Sequence, residues 1–99
     1  MQLITNNLQR LFALCKKYKV RTLDVFGSIL TQKFNENSDI DFLVRFKDEE
    51  IPDMFDHFFD FIYELENLFQ RKIDLVDESA VTNPRFKDVL EKTKFRIYG

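Results

Sequence analysis

With a single cysteine in 99 residues, the chain can form no intramolecular disulfide and no cysteine-based zinc site. Cys15 lies among apolar residues at helical spacing and reads as a small core residue. Tryptophan is missing, and the aromatic content is carried by twelve Phe and three Tyr. Phe has no polar atom to satisfy, so this skew predicts a Phe-packed core. No apolar run approaches the ~20 residues needed to span a bilayer. The segment Met1-Gln2-Leu3-Ile4-Thr5 has no basic, apolar leader pattern, so a cytoplasmic protein with no membrane partner is expected. A net charge of −2 gives no basic excess, and direct nucleic-acid binding is not expected. Neither repeats nor low-complexity segments occur.

What is present is a polarised charge. Residues 1–34 carry six Lys/Arg against one acid, residues 35–68 carry eleven acids against two bases, and residues 69–99 carry seven bases against five acids. The acidic middle is either a solvated face or a place where metal is held. The length predicts one domain over residues 1–99 with one modest core.

Apolar residues Ile4, Leu8, Leu11, Phe12 and Cys15 recur at helical steps, predicting a helix over 3–18. Val20 to Phe26 reads as a strand ending at Gly27-Ser28, followed by a short helix over 28–34 and a polar turn. Asp39 to Phe46 is the second strand, 53–70 a long helix, and Arg71 to Val76 the third strand. Asn83-Pro84 opens a last helix, with Asn as cap and Pro at the first position, and 95–98 adds a short strand. This order predicts an α/β (α+β) fold: one small mixed sheet with helices packed on one face. His57 falls on the polar side of the long helix and is expected to be solvated. The apolar residues of that helix span an arc of roughly 180°, wider than the ~100° stripe of an ordinary surface helix. Either it packs on both the sheet and the first helix, or it keeps a surface for a partner.

Chemistry is concentrated in Phe26-Gly27-Ser28, ten residues ending in Ser38, and then Asp39-Ile40-Asp41. Gly27 permits a sharp turn and close approach of a ligand, because it has no Cβ. Ser28 can cap a helix and offer a hydroxyl to phosphate, and the N–H groups of a helix start suit a triphosphate. Asp39 and Asp41, two apart on a strand, point to one face while Ile40, Phe42 and Val44 point to the other. Paired carboxylates repel unless a cation sits between them, and Mg²⁺ takes such oxygen ligands together with substrate phosphates. Asp74, flanked by Ile73 and Leu75, has the same parity and joins that face if strand three lies beside strand two. The alternative for Asp74 is a surface ion pair with Arg71 or Lys72.

This pattern resembles the signature of the DNA polymerase beta-like nucleotidyltransferase superfamily, and best its minimal nucleotidyltransferase (MNT) family, over almost the whole chain. The resemblance implies that Asp39 and Asp41 bind metal, with two ions in the site, and that Asp74 helps to activate an acceptor hydroxyl. It implies ATP as substrate, and a HEPN-domain toxin as partner, silenced by transfer of AMP to one of its tyrosines. Many MNT members carry Arg-Gly at the third and fourth residues after the motif Ser, where this chain has Thr31 and Gln32. Lys33 or Arg21 is then the candidate phosphate cation. The competing reading is a binding module that neutralises its partner by contact with the catalytic site idle.

Overall fold

Alternating apolar residues in two central segments set the architecture. In the computed structural model, which describes residues 1–99, Val20–Phe26 (β1) and Ile40–Phe46 (β2) pair antiparallel. Ile73–Asp77 (β3) runs parallel to β2, and Phe95–Tyr98 (β4) pairs antiparallel with β1. The sheet is therefore mixed, in the order β3-β2-β1-β4. A parallel pair needs a crossover, which the helix Met54–Phe69 supplies.

The expected first helix is two helices, α1 (Gln2–Thr5) and α2 (Leu8–Lys17). Asn7 breaks it. Its side-chain amide donates to the Leu3 carbonyl at 2.8 Å, taking the acceptor that its own N–H would have used. That N–H turns to Ile4 instead, at 3.0 Å. The crossover helix, α3, and α2 lie on one face of the sheet, where Leu11, Cys15, Phe61 and Leu65 meet Leu23, Val25, Phe42 and Val44. Each fully buried side chain of this kind contributes about 1.5–3 kcal/mol. Phe61 and Leu65 thus fix α3, and through it the position of β3.

The wide arc of α3 divides. Phe61, Leu65 and Phe69 are buried, and Phe58, Ile62 and Leu68 pack against the core, but Phe55 and Phe59 are exposed. His57 is not solvated. It is half-buried, with Nε2 2.6 Å from the Tyr18 carbonyl oxygen and its ring against Tyr18 and Phe46. The end of α2 covers the helix face that sequence polarity assigns to water.

The last helix, α4 (Pro84–Thr93), begins as expected: Asn83 Oδ1 accepts from the N–H groups of Arg85 and Phe86 at 2.9 and 3.2 Å. It touches the other face of the sheet, where Phe86 meets Phe26 and Leu90 is buried. No helix is long and apolar enough to cross a membrane.

Candidate active site

At the end of β1 the chain turns through Gly27, whose φ of +74° lies in the left-handed region. The missing side chain matters twice. A Cβ here would be strained by that dihedral, and it would overlap Oδ2 of Asp41 and lie 3.3 Å from its Cγ. The glycine backbone therefore rests directly against the Asp41 carboxylate.

The expected helix over 28–34 is reduced to a 3₁₀ turn, Gly27–Leu30. Thr31 closes it early, since both its N–H and its hydroxyl donate to the Ser28 carbonyl, at 2.9 and 2.8 Å. Ser28 caps nothing with its side chain. One turn carries little of the dipole of a full helix. What the turn could offer a phosphate is its backbone N–H groups and the Ser28 hydroxyl.

Asp41 on β2 lies directly across from Asp74 on β3. Their shared parity puts both carboxylates on the face away from α2 and α3. Asp39 immediately precedes β2. Burial pushes the Asp41 carboxyl above its ordinary value, and the charges of Asp74 and Asp39 and a hydrogen bond with Asp74 push it further. Carboxylates crowded in this way repel one another, and a cation set among them would relieve the repulsion. No three acidic, His or Cys side chains are drawn together into a ready-made ligand set. Mg²⁺ does not need one, as it commonly takes one or two carboxylates and completes its shell with water and substrate phosphates. These crowded, hard oxygen donors fit such an ion.

Asp74 makes no ion pair with Arg71. That guanidinium donates to the carbonyls of Asn35 and Ser38 at 3.1 and 2.8 Å and stacks on Phe34. Arg21, the second residue of β1, pairs with Asp48 at 3.2 Å. Six residue steps along the strand separate it from Gly27, roughly 20 Å. Lys33 is exposed in the segment beyond the turn. Gly27, Asp41 and Asp74 thus come together with Ser28 and Asp39 at their edge.

Sequence reasoning overlooks Asp24. It is 1% exposed, on the same sheet face as Asp41, with Oδ1 accepting from Arg96 Nε at 2.6 Å and Oδ2 unpartnered. Burial opposes the charge of Lys94, yet Glu91, Glu78 and Asp24 hold its ammonium above the ordinary lysine value. These groups tie β4 and the end of α4 to the sheet face that carries Asp41. The signal was an acid inside the apolar run Leu23-Asp24-Val25-Phe26, at the parity of the other acids. An apolar cleft of about 550 Å³ between Phe26, Gly27, Leu30 and α4 also went unread.

Residues 9–99 match the family described as polymerase beta, nucleotidyltransferase. The chain is 35% identical over 80 residues to protein adenylyltransferase MntA of Thermococcus cleftensis, covering 81% of this chain and 78% of that one. Its fold is shared with a toxin–antitoxin structure containing AMP-PNP, at TM-score 0.74 and 19% identity over 94% of this chain and 73% of the other. It is also shared with the complex of a tri-AMPylated Shewanella oneidensis HEPN toxin and its MNT antitoxin, at TM-score 0.67 and 19% identity over 100% and 73%. With the glycine turn set against an acid pair on neighbouring strands, the chain belongs to the polymerase beta nucleotidyltransferase family.

Proposed function

We propose that this nucleotidyltransferase moves AMP from ATP to a tyrosine hydroxyl of a HEPN-domain toxin, acting as its antitoxin in the cytoplasm. The observation that carries the reading is the contact of Gly27 with Asp41, beside Asp74 on the same face. It puts a place for phosphate next to a pair of acids. The Thermococcus cleftensis relative, named a protein adenylyltransferase, supports AMP as the group moved. The AMPylated HEPN toxin in complex with an MNT antitoxin supports the acceptor.

Gly27 and Ser28 receive the triphosphate, the glycine by allowing close approach and the serine by its hydroxyl. Asp39, Asp41 and Asp74 are the residues that would hold Mg²⁺, which when bound would neutralise the phosphate charge. Asp74 is exposed, so an acceptor can reach it. The acceptor oxygen forms a bond to the α-phosphorus as the bond to the bridging oxygen breaks, and pyrophosphate leaves. The phenolic proton passes to the Asp74 carboxylate. Positioning supplies most of the rate, as in phosphoryl transfer generally.

The test is mass spectrometry of a HEPN-type partner incubated with this protein, ATP and Mg²⁺. AMP mass on a toxin tyrosine, absent with Asp41→Asn, is the expected result. Full protection of cells by Asp41→Asn, with no AMP on the toxin in either case, would reduce the chain to a contact inhibitor.

A further inference from the structure

Along the outer side of α3, Phe55, Phe59 and Tyr63 form a stripe at four-residue steps, exposed by 72%, 51% and 65%. The Phe55 and Phe59 rings touch, with centroids 4.7 Å apart. Together the three expose on the order of 400 Å² of aromatic side chain. That is about half of one partner's share of a standard protein interface. A patch of this size on a helix already anchored by its other side marks an interaction surface.

The charge beside the stripe decides what can cover it. α3 carries Asp56, Asp60, Glu64 and Glu66 and no Lys or Arg. Glu64 is matched by Lys17 and by the Tyr18 hydroxyl, and Glu66 accepts the Ile73 N–H. Asp53, Asp56 and Asp60 have no cation within ion-pair distance. Asp56 is instead hydrogen-bonded to Asp53, which raises its carboxyl, and the Asp53 and Asp60 charges add to the shift. A second copy is a poor occupant: a two-fold contact through this stripe sets these acids against their own equivalents. The fitting surface is apolar with basic flanks.

We propose that Phe55, Phe59 and Tyr63 form the docking surface for a partner helix whose apolar face is flanked by Lys or Arg. The inference rests on the reading that the acceptor is a protein. Because α3 packs on the sheet face opposite Asp41 and Asp74, docking leaves the site open. The acceptor then brings two separate elements, an anchor for α3 and the tyrosine for the catalytic face.

Two synthetic helical peptides with the same leucine stripe, one flanked by Lys and the other by Glu, test this with the full chain. Fluorescence anisotropy should show the Lys peptide binding about tenfold or more tightly than the Glu peptide. Phe59→Asp, at an exposed position, should abolish binding while circular dichroism stays unchanged. Asp56→Lys with Asp60→Lys should invert the preference. Equal affinity for both peptides, binding untouched by Phe59→Asp, or sedimentation of the parent as a dimer that Phe59→Asp dissociates would each overturn the proposal. No nucleotide is present, so a failure of AMP transfer leaves this outcome unaffected.

Discussion

Gly27→Ala should damage the protein by two separable effects. The φ of +74° costs a residue with a Cβ about 1–2 kcal/mol. The added carbon also overlaps the Asp41 carboxylate, 3.3 Å from its Cγ, and must push that side chain off its rotamer. Such a displacement costs about 0.5–1.5 kcal/mol. Together the loss should be about 1.5–3.5 kcal/mol, or a fall of roughly 6–28 °C in Tm for a domain of this size. Urea denaturation of four chains resolves the parts: the parent, Gly27→Ala, Asp41→Ala and the double variant. Removing the carboxylate abolishes the overlap and leaves the dihedral, so the glycine substitution should cost about 1 kcal/mol less in the Asp41→Ala background. If it costs the same in both backgrounds to within about 0.3 kcal/mol, the carboxylate does not rest on Gly27 and the geometry of the site is wrong.

The raised Asp41 carboxyl makes stability depend on pH. The native state binds this proton more tightly than the unfolded state, so stability should fall as pH rises from about 3.9 through the raised native value. Urea midpoints against pH should lose that component in Asp41→Asn, and an unchanged slope would refute the assignment. Asp74→Asn should keep nucleotide affinity but slow transfer by about 10²-fold or more, read in single-turnover kinetics. Asn83→Ala removes the acceptor of two N–H groups and should cost about 1 kcal/mol by thermal denaturation, with transfer unaffected.

The strands were legible because each repeats a simple parity. Val20–Phe26 is found where expected, and the parity of Ile73-Asp74-Leu75 brings Asp74 beside Asp41. Helix extent was less legible, since side chains compete with the backbone in ways periodicity does not register. Asn7 splits the first helix through the Leu3 carbonyl, and Thr31 ends the turn after Gly27 through the Ser28 carbonyl. Tertiary neighbours were illegible. Nothing local shows that Tyr18 and Phe46 cover His57, or that Arg71 turns to the 35–38 backbone rather than to Asp74. Arg21 pairs with Asp48 near the far end of β1 from Gly27, a placement that charge alone does not register. Asp24 has the parity of Asp41, but nothing local shows that Arg96, 72 residues away, pairs with it.

The strand order gives the two facing acids unequal lifetimes in place. Asp41 belongs to a strand hydrogen-bonded on both sides, whereas Asp74 belongs to β3, held on one side only. An edge strand opens locally at lower free energy than a central one, so its amides lose protection from hydrogen exchange first. Each such opening separates Asp74 from Asp41 and relieves their mutual repulsion without disturbing Gly27. The half of the site built on Gly27 and Asp41 is thereby rigid, and the half built on Asp74 can breathe.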